Sequence, residues 1–249
     1  MSNLIEKGKK ASAYQAVDEN IDHSTKIIGI GSGTTIVYAV ERLAERVKQE
    51  NLDIQCVPSS FQAKQLLAKN NLKITDLETF TSIDVTIDGA DEVDKNLVCI
   101  KGGGGCHLQE KLIAYCAKKF ILIADYRKKS TELGQSWHNG IPIEVLPSAY
   151  RLVKENIEKL YGGNAKLREF TGSTLGKAGP IITDNGNFIL DWIFEIKDDN
   201  SGYDWNTINT NIKMIPGVIE TGLFIDMAKV AYFGNADGTV TKLNKCLRC

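Results

Sequence analysis

The sequence predicts an α/β protein whose larger part is a parallel sheet with helices on both faces. Over residues 1–130, patterns of short buried strands alternate with patterns of amphipathic helices, an alternation that favours such a sheet. After Asn139-Gly140-Ile141-Pro142 the order becomes strand, helix, strand, strand, helix, strand, which is typical of a ferredoxin-like unit. We therefore expect a Rossmann-like domain over residues 1–142 and 223–249 and a smaller ferredoxin-like βαββαβ domain over residues 143–222.

The helices of the first domain are indicated by apolar residues at three- and four-residue intervals, because such residues share one face of a helix. The clearest case is the apolar set Ile36, Val37, Val40, Leu43, Ala44 and Val47. Short continuous apolar runs indicate buried strands instead. The other predicted elements are an amphipathic helix containing Leu4, Gly8, Ala11 and Val17, strands at 26–31 and 54–57, a helix at 60–69, strands at 83–88 and 97–100, a helix at 108–118 and a strand at 120–124.

The second domain is predicted from the same two patterns. Its two helices have their apolar faces at Tyr150, Val153, Ile157 and Leu160 and at Trp205, Ile208 and Ile212. Its strands are predicted at 143–146, 166–170, 187–190 and 218–224. Two further strands, at 230–233 and 239–242, could return to the first domain.

The balance of charge limits the partners of the chain. Its 249 residues include 30 Lys and Arg against 31 Asp and Glu, a net charge of −1. No basic excess is present to neutralise a run of phosphates, so we expect no nucleic-acid partner, although one or two phosphate groups could be bound locally. Residues 1–13 contain Glu6 and three lysines and lack the apolar core of a signal peptide, and the apolar run at 120–124 is too short to span a membrane. We expect a cytoplasmic protein with no membrane partner.

The six cysteines indicate a reducing compartment rather than a disulfide framework. Cys99 lies in the apolar stretch Leu97-Val98-Cys99-Ile100, as expected of a small core residue. Cys246 and Cys249 form a C-x-x-C pair without a second pair. A frayed terminal tail and a zinc or redox site both fit this pair, and the tail is the simpler interpretation.

Three glycine-bearing stretches each follow a predicted strand of the first domain. Because ligands bind at the carboxyl ends of the strands in an open α/β sheet, we expect the three stretches to converge. The first is Gly29-Ile30-Gly31-Ser32-Gly33-Thr34-Thr35, which joins a strand to a helix. Its glycines allow close approach of an anion, the helix N-terminus offers unpaired N–H groups, and Ser32, Thr34 and Thr35 add hydroxyl groups.

This first stretch lacks the features of two common nucleotide-binding motifs. A dinucleotide fingerprint requires glycine where Thr34 stands and an acidic residue at the end of the second strand, which instead ends Val57-Pro58-Ser59. A P-loop requires a Gly-Lys-Ser/Thr sequence that does not follow here. A phosphate site and a tight turn with helix caps both stay open for this stretch.

The second stretch, Asp88-Gly89-Ala90-Asp91-Glu92, places three carboxylates within five residues at the end of a strand. Like charges this close repel one another unless a cation, sugar hydroxyls or a proton transfer makes use of them. Asp88 could instead cap a helix. A magnesium site is a further alternative, weakened because no other Asp/Glu cluster supports it.

The third stretch runs from Lys101 through Gly102, Gly103, Gly104 and Gly105 to Cys106-His107-Leu108-Gln109-Glu110-Lys111. Four consecutive glycines are entropically costly, which indicates close approach of the backbone to a ligand. Lys101 and Glu110 flank this loop as a cation and a base. His107 ranks below Glu110 as a general base, because no histidine of the chain is paired with another candidate ligand and a surface or loop role is expected for each.

Together these residues predict the chemistry of a sugar-phosphate isomerase. The glycine loops would hold a phosphate-sized anion beside carboxylates that can bind hydroxyl groups. Glu110 would remove a proton next to a carbonyl group, while Lys101 and backbone N–H groups hold the enolate oxygen. Spacing alone does not identify the sugar.

The same residues resemble a known family, the type A ribose-5-phosphate isomerases. Four segments are similar: 29–35, Asp88-Gly89-Ala90-Asp91-Glu92, the K-G-G-G…E-K pattern of 101–111, and Thr183-Asp184-Asn185-Gly186-Asn187. The segment 217–224 is also similar to a late segment of the family. The resemblance extends over nearly the whole chain. It implies interconversion of ribose 5-phosphate and ribulose 5-phosphate in the pentose phosphate pathway, without a cofactor or a metal.

The resemblance also implies roles for individual residues. Glu110 matches the general base that moves a proton between C1 and C2 through an enediolate, and Lys101 matches the lysine that stabilises the oxyanion. Asp88 matches the aspartate associated with ring opening, and Asp91 matches a second aspartate that contacts the sugar. The substrate-binding residues implied are Ser32, Gly33, Thr34, Thr35, Gly102, Gly103, Gly104 and, for the phosphate, Lys128.

Some features depart from the family pattern or have no match in it. Arg127-Lys128-Lys129 offers three neighbouring cations, so the match of Lys128 is less specific than the others. Cys106 replaces a smaller residue beside the site, which suggests sensitivity to thiol reagents. The stretches 134–139 and 197–205 and the tail 243–249 have no catalytic match, and we expect them to affect assembly rather than chemistry.

Three other functions are compatible with parts of the pattern. They are an amino-sugar-phosphate isomerase or deaminase, a phosphosugar-sensing regulatory domain, and a coenzyme A transferase, which would use a glutamate as nucleophile. The intact pair of Lys101 and Glu110 and the lack of a DNA-binding segment argue against the sensor. For assembly, the resemblance implies a homodimer or a homotetramer.

Overall fold

The computed structural model describes residues 2–170, 178–195 and 203–245. Its elements are α1 (Ser2–Asn20), β1 (Ile27–Ile30), α2 (Ile36–Glu50), β2 (Gln55–Pro58), α3 (Phe61–Lys69), β3 (Lys73–Ile74), β4 (Ile83–Asp88), β5 (Glu92–Val93), β6 (Cys99–Ile100), α4 (His107–Tyr115), β7 (Ala117–Asp125), β8 (Ile141–Val145), α5 (Tyr150–Tyr161), β9 (Asn164–Leu167), β10 (Glu169–Phe170), β11 (Gly179–Pro180), β12 (Phe188–Ile193), α6 (Trp205–Lys213), β13 (Val218–Thr221), β14 (Leu223–Phe224), β15 (Ala228–Gly234) and β16 (Val240–Asn244).

Seven strands form one large sheet in the order β16-β15-β7-β4-β1-β2-β3. Neighbouring strands are parallel throughout, except that β16 is antiparallel to β15. At its centre, Ile28 of β1 pairs with Cys56 on one side and with Val85 on the other. The parallel sheet predicted from the alternation of strands and helices is therefore confirmed, and the last two strands do return to it.

Helices cover both faces of the large sheet, as predicted. Ile121 and Ile123 of β7 pack in a core with α1, α2 and α3, whereas Phe120 and Leu122 pack in the core that includes α4. This division follows from the two-residue period of a strand. The expected burial of Leu4 is wrong, since its side chain is 49% exposed and α1 becomes buried only from Gly8 onward.

The smaller sheet has the order β13-β8-β12-β9, with all neighbours antiparallel. With α5 and α6 it forms the predicted ferredoxin-like βαββαβ arrangement. Val153 of α5 and Ile208 of α6 share one buried core with Trp192 of β12. Leu160, expected on the buried face of α5, is exposed, because it lies in the last turn of that helix beyond the core.

One predicted strand is shortened and another is divided, and pieces of both form a third sheet with β5, in the order β14-β6-β5. Of the strand predicted at 97–100 only Cys99–Ile100 forms, and the strand predicted at 218–224 is β13 followed by β14. The division falls at Gly222, whose N–H donates to the carbonyl oxygen of Pro142 at 2.6 Å. The carbonyl oxygen of Gly222 accepts from the Lys101 N–H at 2.8 Å. The chain passes here from the smaller sheet to the third one.

The helix predicted at 108–118 ends at Tyr115, and the strand predicted from residue 120 begins at Ala117. Ala117 pairs with Ile83 of β4, so the sheet ladder starts three residues earlier than the apolar run. Pairing with a central strand outweighs the helix propensity of this alanine and the lysines that follow it.

Some of the predicted features lie outside the described residues. Cys246 and Cys249 lie outside the described residues, as does most of the stretch 197–205. The domain bounds at 142/143 and 222/223 stay predictions. Within the described ranges, no helix is long and apolar enough to cross a membrane.

Candidate active site

The carboxyl ends of β1 and β4 bring the first two glycine-bearing stretches together. The Oδ1 atom of Asp88, at the end of β4, accepts hydrogen bonds from the N–H groups of Ser32 at 3.1 Å and Gly89 at 2.7 Å. A Cβ atom on Gly31 would lie 1.8 Å from this oxygen, so glycine is required for the approach. The predicted convergence of these stretches follows from two adjacent parallel strands.

Lys101 connects the third glycine-bearing stretch to Asp88. Its Nζ atom lies 2.9 Å from Oδ2 of Asp88 and 3.1 Å from Oε2 of Glu110, and it donates to the carbonyl oxygen of Gly89 at 2.6 Å. All three charged side chains are almost fully buried. Two carboxylates thus share one ammonium group at the base of a cleft.

The third stretch reaches the site by a different route from the one predicted. It follows β6, which belongs to the small antiparallel sheet and not to the parallel sheet. The N–H of Asp91 donates to the carbonyl oxygen of Ile100 at 2.8 Å, which places β6 directly beside the segment that follows β4. The convergence is therefore confirmed, although its cause is pairing with the second stretch.

Burial determines the protonation behaviour of these groups. It raises the pKa of Glu110 to about 8, an effect to which the charge of Asp88 adds and which Lys101 opposes. Burial also raises the pKa of Asp88, against the influence of Lys101. For Lys101 burial disfavours the charge, but the two carboxylates outweigh it and its pKa is raised. Lys101 therefore stays a cation, while Glu110 can take up and release a proton near neutral pH.

The three carboxylates of the second stretch have different surroundings. Asp88 binds Lys101, whereas Oδ2 of Asp91 accepts from the Gly103 N–H at 2.7 Å. Glu92 is buried away from both, where its oxygens accept hydrogen bonds from Ser130, Gly134 and Ser136. Over the described ranges, no three His, Cys, Asp or Glu side chains are grouped as a metal site would require.

A cavity of about 300 Å³ lies above the pair of Lys101 and Glu110. With the exception of Asp88, which is fully buried beneath it, every predicted site residue lines this cavity. These residues are Lys101, Glu110, Asp91, Ser32, Gly33, Thr34, Thr35, Gly102, Gly103, Gly104 and Lys128. The structure thus brings the whole predicted set to one place.

Several residues of this cavity were missed by sequence reasoning. Lys9 of α1 donates to the Thr34 hydroxyl at 2.9 Å, and Gln62 of α3 accepts from the Gly33 N–H at 3.1 Å. Neither is next to a glycine-rich stretch, so no local pattern marks it. Ser32 also uses its hydroxyl within the protein, at 2.6 Å from the hydroxyl of Ser60.

The three neighbouring cations at 127–129 have different roles. Arg127 also lines the cavity but is paired with Asp125 at 2.6 Å, whereas Lys129 does not line it. Lys128 lines it, with Nζ at 5.2 Å from the ring centroid of Trp137. Trp137 belongs to the stretch 134–139, for which we expect an effect on assembly. It lies beside Lys128 and against Gly103, where a Cβ would come within 2.9 Å of its ring.

His107 and Cys106 differ from their expected environments. His107 is completely buried at the start of α4, so the expectation of a surface or loop position is wrong. Burial, with the nearby charges of Lys111 and Arg168, lowers the pKa of His107 to about 3. Cys106 lines the cavity, but burial and then the charge of Glu110 raise its pKa to about 11. A thiol protonated near neutral pH reacts slowly, which disfavours the suggested sensitivity to thiol reagents.

The segment Thr183-Asp184-Asn185-Gly186-Asn187 is held by the buried side chain of Glu144 in β8. Oε1 of Glu144 accepts hydrogen bonds at 2.8 to 3.0 Å from Thr183, Asn185 and Asn187. Asp184 accepts from the N–H of Phe61 at the start of α3, and Asn185 accepts from Gln109 of α4. The segment therefore connects the smaller sheet to the two helices beside the cavity.

Comparison with known proteins shows the family of the chain. A family model described as ribose 5-phosphate isomerase A (phosphoriboisomerase A) matches residues 55–238. The chain is 52% identical to the ribose-5-phosphate isomerase of Homo sapiens, over 96% of this chain and 74% of that protein. It is 49% identical to the enzyme of Candida albicans, over 98% of this chain and 99% of that protein.

Solved structures give the same result. Ribose 5-phosphate isomerase from Plasmodium falciparum superposes with a TM-score of 0.87 at 38% identity, over 99% of this chain and 100% of that chain. A D-ribose-5-phosphate isomerase in complex with phospho-erythronic acid gives a TM-score of 0.85 at 39% identity, over 96% and 99% of the two chains. On its sequence and its fold, the chain belongs to the ribose 5-phosphate isomerase A family and is an isomerase.

Proposed function

We propose that the chain interconverts D-ribose 5-phosphate and D-ribulose 5-phosphate through an enediolate, with Glu110 as general base. The observation that supports this most directly is the position of Lys101, within 3.1 Å of Glu110 at the base of the cavity. A base that lies next to a buried cation can remove a proton beside a carbonyl group whose oxygen the cation stabilises. A related isomerase forms a complex with phospho-erythronic acid, a sugar-acid phosphate, which supports a sugar phosphate as the substrate.

In the proposed binding mode the phosphate lies toward the hydroxyl-bearing loop and Lys128, and the carbonyl end lies toward Lys101. Thr34 and Thr35 directly precede α2, and Thr35 is its N-cap, so the free N–H groups at the start of this helix favour an anion. Asp91 lies nearer the other end, where it can accept hydrogen bonds from sugar hydroxyls, whereas Asp88 is buried beneath the cavity and can act on the sugar only through Lys101. Asp88 is the group we assign to opening of the furanose ring.

The proton transfer proceeds in two steps. Glu110 removes the proton on C2 of the open-chain aldose, the C–H electron pair forms the C1–C2 double bond, and the carbonyl electrons move to O1. Lys101 stabilises the negative charge on O1 of this enediolate. The proton on O2 then passes to O1, and Glu110 returns its proton to C1, which leaves a carbonyl at C2. A carboxyl group whose pKa lies near neutral pH is suited to both removal and return of this proton.

The same proposal includes the cellular setting. The family resemblance supports a place in the non-oxidative pentose phosphate pathway, a cytoplasmic location and a homodimer or homotetramer. These assignments rest on the family resemblance.

The proposed reaction can be tested directly. We expect the purified chain to convert ribose 5-phosphate to ribulose 5-phosphate at the same rate with and without EDTA, and to leave glucosamine 6-phosphate unchanged. Faster turnover of glucosamine 6-phosphate would instead favour the amino-sugar-phosphate alternative. A lack of turnover of ribose 5-phosphate would overturn the proposal.

A further inference from the structure

Arg168, which lies between β9 of the smaller sheet and β10, connects the smaller sheet to the glycine loop. Its Nε and Nη2 atoms donate to the two carboxylate oxygens of Asp191 at 2.8 and 2.5 Å. Its Nη1 atom donates to the carbonyl oxygens of Gly102 and Gly103, both at 3.0 Å. Arg168 does not line the cavity, so it can affect the reaction only through the loop.

We propose that Arg168 and Asp191 are positioning residues that orient the peptide planes of the glycine loop, so that the Gly103 N–H holds Asp91 and the Gly104 N–H is directed toward the enediolate. This inference depends on the proposed function, since it assigns a purpose to the loop in that reaction.

The direction of these N–H groups follows from the geometry of the peptide bond. In a planar trans peptide, the N–H of one residue points away from the carbonyl of the residue before it. Because the carbonyls of Gly102 and Gly103 both point to Arg168, the N–H groups of Gly103 and Gly104 point to the opposite side. The Gly103 N–H donates to Asp91 on that side, and Asp91 and Gly104 both line the cavity.

A run of glycines needs such an external contact. Glycine loses more conformational freedom on folding than any other residue, and a loop of four glycines does not fix its own peptide planes. Within the loop, the Gly105 N–H donates to the carbonyl oxygen of Gly102 at 2.9 Å. Gly102 and Gly105 have φ angles of 101° and 81°, which favour glycine. Arg168 supplies two further hydrogen bonds to this loop.

The pair is itself held firmly. Arg168 donates its backbone N–H to the carbonyl oxygen of Ile189 at 2.8 Å, and Asp191 lies two residues further along the same strand. The two side chains are 15% and 18% exposed, so water competes little for their bidentate contact. The planar fork of arginine fits both a carboxylate and two adjacent carbonyls, which the single ammonium group of lysine cannot do.

The test compares Arg168→Met and Arg168→Lys with the wild-type chain. We expect Arg168→Met to lower kcat for ribose 5-phosphate by about 10- to 100-fold, because preorganised N–H donors act mainly in the transition state. KM should change less than about 3-fold. Arg168→Lys should recover only a small part of the loss, and Asp191→Asn should have a smaller effect in the same direction.

Two ligands separate positioning from a structural role. Phospho-erythronic acid has a planar carboxylate that resembles the enediolate in shape and charge, whereas inorganic phosphate occupies only the phosphate end. Titration calorimetry with Arg168→Met should show about 10-fold or more weaker binding of phospho-erythronic acid and unchanged binding of phosphate. Arg151→Met is the matched control, because Arg151 forms an exposed pair with Glu155 on α5. It should leave both affinities and kcat unchanged.

Two results would overturn the positioning role. One is wild-type kcat and wild-type affinity for phospho-erythronic acid in Arg168→Met. The other is an equal loss of affinity for both ligands together with a lowered Tm, which indicates a structural role only. In both cases an active wild-type chain would still support the proposed isomerase function, so the two proposals fail separately.

Discussion

The Nζ atom of Lys101 lies 3.1 Å from Oε2 of Glu110, with both side chains almost fully buried. The proposed proton acceptor and the proposed oxyanion-stabilising cation therefore lie in direct contact before the substrate binds. A substrate carbonyl group that binds in the cavity next to Lys101 would contact both side chains at once. This contact makes the reaction sensitive to any change in the charge of either partner.

Replacement of Glu110 by glutamine should remove the base and keep the shape of the site. We expect Glu110→Gln to lower kcat by about 10²- to 10⁴-fold, with the affinity for phospho-erythronic acid changed much less. Steady-state kinetics and titration calorimetry measure the two quantities. Glu78→Gln, at an exposed position away from the cavity, is the control. Near-normal turnover in Glu110→Gln would show that another group is the base.

The pH dependence of the reaction should report the ionisation of Glu110. Since the base must be unprotonated and its pKa is raised to about 8, kcat/KM should fall as the pH drops below about 8. Asp88→Asn removes a neighbouring negative charge, which lowers the pKa of Glu110 and moves this acid limb to lower pH by roughly one unit.

The substrate for this measurement should be D-ribulose 5-phosphate. Its 5-hydroxyl is phosphorylated and cannot close a ring onto C2, so any loss of ring opening in Asp88→Asn does not affect the profile. An acid limb at the same pH in both proteins would show that Asp88 does not influence the base.

Loss of the Lys128 cation should weaken binding of the phosphate. Lys128→Ala is expected to raise KM about 10-fold with a smaller change in kcat, because the charge contributes equally before and during the reaction. Trp137→Leu should raise KM about 3-fold through loss of the contact between its ring and Lys128. Lys129→Ala is the control, since this exposed neighbour does not line the cavity. An unchanged KM in Lys128→Ala would move the phosphate site elsewhere.

The buried His107 should make the protein less stable in acid. Its pKa is about 3 in the folded chain and 6.5 in a solvated histidine, so the unfolded state binds the proton more readily between these values. This group contributes its full stability above pH 6.5 and loses it as the pH falls.

The free energy of unfolding falls by about 1.4 kcal/mol for each pH unit below the unfolded-state pKa. The loss at about pH 5 is therefore about 2 kcal/mol. Urea unfolding at about pH 7 and pH 5 measures it, and His107→Gln should show a correspondingly smaller difference between the two conditions. His138→Gln, at an exposed position, should behave as the wild-type chain. Equal pH dependence in all three proteins would contradict the burial of a neutral imidazole.

The part of the site that follows from local sequence was predictable. The end of a strand or the start of a helix is the position of Asp88, Lys101 and Glu110. The spacing of apolar residues locates these ends in the sequence, and the neighbouring glycines indicate a ligand site. Lys9 and Arg168 give no such signal, because each contacts residues far away in the sequence. Arg168, for example, lies 66 and 65 positions from the carbonyls that it binds.

The large sheet was predictable for a similar reason. Two of its longer strands carry patterns typical of strands, since β4 alternates apolar and polar residues and β7 contains a short apolar run at 120–124. The third sheet was not predictable, because strands of two residues, such as Cys99–Ile100, contain no measurable period. They form because Ile100 pairs with Leu223, a contact set by the path of the whole chain.

Gly222 determines whether the two larger sheets can be treated as separable modules. Its carbonyl oxygen is the acceptor for the Lys101 N–H, and a Cβ at this position would lie 2.2 Å from the Lys101 carbonyl oxygen. Excision of the smaller sheet, or its exchange for that of another protein, would therefore alter the backbone that supports the proposed catalytic lysine. Domain transplantation between relatives should succeed only when this junction and the glycine loop are transferred together.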